Sequence, residues 1–520
     1  KQIHVDILSR GLLEKHIVLG NALVDMYAQC HMLAKAQQVL EEIPLRDVAS
    51  WNALIAAYAQ QGQCHEAFKC IQQMQSEDIS PDAITFICIM KACGRAQAIE
   101  KGKQVHENVV STGLLEHNIV LGNALVDMYA KCGAFEKSQK VLDELLVRNV
   151  VSWNALIAGF VQWGQCHDAL KCFEQMENEG LSPVPVTYIC VLKACGSISA
   201  IDKGKQIHEE IVNKGLLENF PTLGNAVMDM YAKCGEFTKA EEVLKELVVQ
   251  DTISWNTLIA GYADQGRCHE AMHCFEEMQN CGISPDAITF ISIAKVCGSL
   301  GSIEKGKQIH NEIVSRGLLE QDIVLGIALV DMYAKCGVLV KAWNVLEELP
   351  IRDVIAWNAL IAGYAQQGRG HESVTCFEQM QSEGVSPDEV TMLSVLNACC
   401  HSDVSQMLFE SMTKKYGIIP NEEHHTCMVV VFGYSGHLEK AMSMINGMPS
   451  RDYPPVWLSI LSACRKWGNV KVGRIAFDHV IQLDRSCAAA YTLLTNIYVG
   501  SGMVEEARRI ETTRRKLCFT

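Results

Sequence analysis

The sequence has no apolar run near the roughly 18–20 residues that a membrane-spanning helix needs. Its longest local candidate, MVVVFGY from Met428, is far too short. Positive charge is in deficit: 45 Lys and Arg stand against 60 Asp and Glu, a formal charge of −15. A tight non-specific polyanion binder normally carries a basic stripe, so this balance counts against that class. It does not exclude a groove of different local character, because net charge is not local potential. No CxxC pair occurs, so the usual half-sites of a tetrahedral zinc centre are missing. Cys166, His167 and Cys172, with counterparts at Cys64, His65 and Cys70 and at Cys268, His269 and Cys274, are separated by steps of one and six residues. Those steps scatter them around a helix instead of converging them. No G-x-S-x-G elbow, P-loop or dinucleotide fingerprint is present. The chain therefore reads as one without a catalytic site, metal or cofactor.

What is there is repetition without insertion. GNALVDMYA begins at Gly20 and again at Gly122, and returns as GNAVMDMYA at Gly224 and GIALVDMYA at Gly326. Each step is 102 residues. Trp51, Trp153, Trp255 and Trp357 keep that interval, as do Pro81, Pro183, Pro285 and Pro387. Copies in strict register imply a stacked array, since a slip of one residue would rotate every later interface. With 49% apolar and 20% charged residues the chain is not disordered. The 23 cysteines mostly recur with the repeat, in equivalent sites too distant to bridge one another, and read as reduced, small core residues.

Each block of 102 holds three helix pairs. Trp153, Leu156, Ile157 and Phe160 fall at i, i+3, i+4 and i+7, one face of a helix. Gly164 interrupts, and Ala169, Leu170, Phe173 and Met176 mark a second helix. Gly180 and Pro183 end it, as glycine past a helix end and proline beyond it commonly do. The sister pair from Ile119 uses Leu125, Met128 and Tyr129, turns at Gly133, and continues through Val141 and Leu142. The anchors give an all-α chain tiled as a partial repeat 1–16, then 17–47, 48–82, 83–118, 119–149, 150–184, 185–220, 221–251, 252–286, 287–322, 323–353 and 354–388. Repeats 389–421 and 422–453 follow with small length changes, then two more helix pairs over 454–520. No pair can bury its own apolar stripe, so stacking must do it. The chain opens at Lys1 inside a repeat, not on an initiator Met, so a stretch before it is expected.

The cycle of 35, 36 and 31 residues, with motifs such as VVSWNALIAGF…CFEQMENEGLSP and GNALVDMYAKCGAFEKSQKVLDEL, resembles the PLS class of plant pentatricopeptide repeat proteins. The resemblance implies a right-handed superhelical solenoid, with the array at 17–388 in S, P, L order, the last L- and S-type repeats at 389–453, and two TPR-like extension motifs at 454–520. It implies binding of single-stranded RNA, one nucleotide per repeat. In that family two residues of each repeat choose the base. Here the first kind is Asn21, Asn52, Asn123, Asn154, Asn225, Asn256 and Asn358. The second is Asp47, Asp82, Asn149, Val184, Asp251, Asp286 and Asp388. The family pattern pairs Asn with Asp for U, and Asn with Asn for pyrimidines with C favoured. A pyrimidine-rich, U-favoured strand follows. The resemblance further implies a mitochondrion or chloroplast, and site recognition for C-to-U editing. A DYW-type deaminase would act in trans through 454–520 or lie outside this sequence. The H-x-E tripeptides at His208, His310 and His437 are not accompanied by the P-C-x-x-C element that such zinc deaminases need. An RNA stability or splicing factor, and a TPR-type protein scaffold, are the alternative readings.

Asn52 lies one residue beyond Trp51, about 100° from the buried stripe. That places it at the rim, free to donate and accept toward a base edge, with the unit-end Asp steering it. The bland reading makes the unit-end Asp and Asn helix caps, worth about 1 kcal/mol each. Val184 cannot steer Asn154 by a hydrogen bond. Ile327 replaces the Asn despite Asp353, Thr426 with Tyr453 is outside the usual pairs, and Ile87, Ile189 and Ile291 read little. The four tryptophans, at core spacing with Leu and Ile, read as core, not as stacking platforms.

Overall fold

The computed structural model describes residues 16–115, 118–319, 322–399, 402–448, 450 and 452–517, with His4, Ile7, Leu12 and Leu13 ahead of them. Most of the expected partial repeat 1–16 lies outside the described residues. The fold is all-α, with thirty-one helices and no strand among the described residues. None of them is long and apolar enough to cross a membrane. The chain divides into two compact halves, Lys1–Gly261 and Tyr262–Thr520.

Within each half the helices come in antiparallel pairs. In the first half, Val150–Gln162 pairs with Cys166–Asn178 and packs on both neighbouring first helices, Ile119–Lys131 and Pro185–Ser197. In the second, Val354–Gln366 pairs with Gly370–Ser382 and packs on Ile323–Lys335 and Glu389–Ala398. First helices therefore stack on first helices, and each second helix closes the outside of its own pair. Trp153, Leu156, Ile157 and Phe160 are all buried, as are Ala169, Phe173 and Met176 facing them. Leu156, Ile157, Phe160, Phe173 and Met176 each contribute about 1.5–3 kcal/mol by burial. The other three tryptophans are core as well, Trp51, Trp255 and Trp357 being 1, 4 and 0% exposed.

Two local devices fix the stacking. Gly164 turns the chain between helices at φ +73°, a left-handed backbone that costs a side chain energy but glycine little. Gly159 lets the first helices close up: a Cβ there would sit 2.4 Å from the Ala130 Cβ. Repeats are also tied by charge. Arg148, at the end of one repeat, pairs with Glu179 of the next at 2.9 Å, and Trp153 Nε1 donates to the same carboxylate at 2.9 Å. Arg46, Glu77 and Trp51 repeat the arrangement at 2.9 and 3.3 Å.

Candidate nucleic-acid interface

Stacking of first helices brings the fifth residue of one repeat to the first turn of the next. Asp82 precedes the helix Ala83–Arg95 in extended conformation, and its Oδ1 accepts from the Thr85 N–H at 2.8 Å. The Asp82 N–H donates back to Thr85 Oγ1 at 3.1 Å, closing a capping box. The same Asp82 Oδ1 accepts from Asn52 Nδ2 at 3.0 Å. Thr85 Oγ1 in turn donates to Asn52 Oδ1 at 2.6 Å. Cap and asparagine anchor are thus one network, not alternatives.

The arrangement recurs. Asn358 Nδ2 donates to Asp388 Oδ1 at 3.0 Å and Thr391 Oγ1 donates to Asn358 Oδ1 at 2.6 Å. Asn123 Nδ2 donates to Asn149 Oδ1 at a longer 3.4 Å, while Ser152 Oγ donates to Asn123 Oδ1 at 2.7 Å. Asn225 keeps the hydroxyl bond, from Ser254 at 2.8 Å, but not a bond to Asp251, which accepts from the Ser254 N–H. Asn21 Nδ2 reaches Asp47 Oδ1 at 3.4 Å, but Ser50 donates to Asp47 and Asn21 Oδ1 is left buried without a partner. Val184 supplies no acceptor, so Asn154 is held by Thr187 alone, at 2.8 Å. Asn256 lies at 7% exposure in the first half. Asp286 caps Ala287–Leu300 in the second through the Thr289 N–H at 2.9 Å.

The expected rim position needs correction at Asn52, Asn123, Asn256 and Asn358, whereas Asn21, Asn154 and Asn225 are half-buried. Asn52, Asn123 and Asn358 are only 8, 9 and 8% exposed. Their angle off the tryptophan stripe is as expected from helix geometry, but the N-terminus of the following first helix covers that sector. Each anchored carboxamide retains one N–H and one lone pair beyond its protein partners.

Burial raises the affinity of Asp82 for a proton, but the bonds from the Thr85 N–H and Asn52 outweigh it and hold the carboxyl below its ordinary value. Asp47 and Asp388 are depressed by the same balance. All three carboxylates are ionised at neutral pH.

A second ladder escapes the sequence reading. The second residue of ten first helices is an exposed β-branched aliphatic: Val18, Ile84, Val120, Val151, Val186, Ile253, Ile288, Val324, Ile355 and Val390, each 55–76% exposed. Single exposed aliphatics are ordinary; ten in one register are not. Each stands three residues before the fifth position, on the same helix face. The signal was legible as an apolar residue recurring off the core stripe, two positions before the tryptophan.

Among the described residues no group of three or more His, Cys, Asp or Glu side chains could hold a metal ion. Cys166 and Cys172 are buried while His167 is exposed. The described cysteines are free thiols. One pair meets across a repeat boundary: Cys64 and Cys93 lie 3.8 Å apart. The Cys93 hydrogen bond, opposed by burial and aided by Lys101, brings the Cys64 thiol down to about 7.

The PPR repeat family matches residues 46–95, 148–197, 250–299 and 352–401, and the PPR repeat matches 123–150 and 225–251. A putative pentatricopeptide repeat-containing protein of Arabidopsis thaliana is 34% identical over 97% of this chain and 74% of its own length. A mitochondrial pentatricopeptide repeat-containing protein of the same plant is 33% identical over 99% of this chain and 93% of its own. A chloroplastic one is 33% identical over 98% of this chain, which spans 59% of its length. The crystal structure of the pentatricopeptide repeat protein PPR10 in complex with an 18-nt psaJ RNA element shares the fold, with TM-score 0.51, 16% identity, and coverage of 96% of this chain and 84% of that one.

Proposed function

The chain belongs to the pentatricopeptide repeat family, and from that premise we propose that it binds single-stranded RNA in an organelle, one nucleotide per repeat. The observation that carries the reading is the pairing of the two ladders. A base has two apolar faces and a polar edge. Packed helices are typically about 8–10 Å apart, so aliphatic side chains such as Val151 and Val186 on successive first helices leave a slot suited to one flat ring. The anchored carboxamide one turn further on meets the Watson–Crick edge. The base-reading pairs are those of the sequence reading: Asn21 with Asp47, Asn52 with Asp82, Asn225 with Asp251, Asn256 with Asp286 and Asn358 with Asp388 for U, and Asn123 with Asn149 for pyrimidines. Asn154 with Val184 reads weakly.

The repeats at 17–388 form the reading array in S, P, L order, the repeats at 389–453 complete it, and the helix pairs at 454–520 dock a partner. The PLS-like cycle of repeat lengths supports a role in choosing C-to-U editing sites, with a DYW-type deaminase as that partner. The relatives' chloroplastic and mitochondrial names support either organelle. Retention of a randomised single-stranded RNA pool tests binding directly. Specific retention is expected, and no retention above a duplex control contradicts it and favours the scaffold reading. Editing is tested by comparing organellar transcripts with and without the protein. A set of unedited sites is expected in its absence, whereas altered transcript levels or splicing with editing intact would favour the alternative.

A further inference from the structure

Resting on that reading, we propose that a third residue belongs to each reader: the hydroxyl at the third position of the following repeat, which fixes which way the asparagine amide faces. It is a positioning residue, since it acts through the amide.

Proton accounting at Asn52 carries the argument. Asp82 Oδ1 already accepts from the Thr85 N–H and from Asn52 Nδ2. Thr85 Oγ1 accepts from the Asp82 N–H. The single hydroxyl proton of Thr85 is 2.6 Å from Asn52 Oδ1 and 2.9 Å from the doubly occupied Asp82 Oδ1. It therefore goes to the amide oxygen. The amide nitrogen faces the carboxylate and the amide oxygen faces the hydroxyl, and a flip would set oxygen against carboxylate. Five junctions show the hydroxyl-to-amide bond, at Asn52, Asn123, Asn154, Asn225 and Asn358, over 2.6–2.8 Å. The first junction differs, because Ser50 turns to Asp47.

The sequence varies in concert. Every repeat with Asn at its fifth position is followed by Ser or Thr at the third position of the next repeat, as in Asn21 with Ser50 and Asn256 with Thr289. Where the fifth residue is Ile87, Ile189 or Ile291, the third of the next repeat is Leu121, Leu223 or Leu325. Ile327 is decisive. Its repeat still ends in Asp353, which still caps through the Ala356 N–H at 2.9 Å, yet the hydroxyl is gone. The Asp persists without the Asn, whereas the hydroxyl does not. The carboxylate thus caps with or without the hydroxyl, and the hydroxyl, besides accepting the N-cap N–H, gives its proton to the amide.

The consequence is discrimination within the pyrimidines. Uracil presents N3–H as a donor between carbonyl acceptors; cytosine presents N3 as an acceptor beside an amino donor. A carboxamide free to flip suits either, and a fixed one suits one of them. The hydroxyl matters most where no acceptor at the unit end shares the task, as at Asn154 beside Val184.

The experiment is selection from a randomised single-stranded RNA pool with the full chain, read as the U:C ratio at the aligned position. Thr187→Val is expected to change the ratio at the Asn154 position about fivefold, the order of one neutral hydrogen bond, and Thr187→Ser to restore it. A uniform loss of affinity with an unchanged ratio overturns the proposal. Should Thr187→Val not fold, a gain-of-function pair decides. Ile327→Asn alone is oriented only by Asp353, and adding Ala356→Ser is expected to widen its U:C separation by about a further fivefold. Equal separation by the single and double variants overturns it. Asn358→Ala is the control for base reading itself: an unchanged base there sinks that reading and this proposal together, whereas a changed base with no effect of the hydroxyl sinks the proposal alone.

Discussion

Replacing Trp153 and Trp357 by Phe, separately, gives a matched comparison inside one molecule. Both rings are buried, 2 and 0% exposed, at equivalent places in repeats 204 residues apart. Each substitution removes a similar ring volume, a large-to-small change costing about 1–2 kcal/mol. Their indole nitrogens differ. Trp153 Nε1 donates to Glu179 at 2.9 Å, whereas Trp357 Nε1 is buried without a hydrogen-bond partner. A bond to a charged acceptor contributes about 1.5–3 kcal/mol, and an orphaned buried donor costs about 1–3 kcal/mol. Trp153→Phe should therefore destabilise by about 3–4 kcal/mol, and Trp357→Phe by about 1 kcal/mol or less. Because stacked repeats contact only their neighbours, the loss should stay local. Amide hydrogen exchange reads it in Ile119–Lys131 and Val150–Gln162 for the first variant, and in Ile323–Lys335 and Val354–Gln366 for the second. Equal losses at the two sites, or a loss spread evenly over the chain, would refute the reasoning.

Gln97 and Ser199 hold positive φ, 52° and 54°, where the equivalent residue of the next block is Gly301 at 64°. Replacing either by Gly should stabilise its repeat by about 0.5–1 kcal/mol, measured as slower local exchange; destabilisation would contradict the strain assignment. Asp82 and Asp388 are depressed in the folded state, so their contribution is complete above the ordinary carboxylate value of 3.8 and is lost as pH falls through the lower folded values. Carbon NMR titration of the two carboxyls should give midpoints below 3.8, with a midpoint above it counting against the network. Mild treatment with a diazene oxidant, which takes two electrons and two protons from two thiols, should join Cys64 to Cys93. Peptide mass analysis showing both thiols still open to alkylation would contradict their juxtaposition.

The helix pairs were legible because two periods agreed. The spacing of Trp153, Leu156, Ile157 and Phe160 marks a helix face, and Gly133 and Gly164 mark turns that the structure makes at φ +72° and +73°. The interiors of the asparagine sites were not legible. Whether Asn52 is open depends on the helix beginning at Ala83, which a reading of one repeat does not contain. The Val151 ladder was missed for a related reason: an apolar residue off the core stripe looks incidental until its exposure is seen in ten helices. Cys64 and Cys93 are 29 residues apart and belong to different repeats, so the interval of 102 residues, which brings like to like, could not pair them.

The central claim is that the fifth and last residues of successive repeats spell a base sequence. In chain order the repeats from 17–47 to 354–388 assign U to the first and second positions, a pyrimidine to the fourth, U to the seventh and eighth, and U to the eleventh. Selection and sequencing of a randomised single-stranded RNA pool should return that spacing: a pair of uridines, another pair six nucleotides on, and a single uridine three beyond the last. Enrichment of an unrelated motif, or of none, would contradict the account.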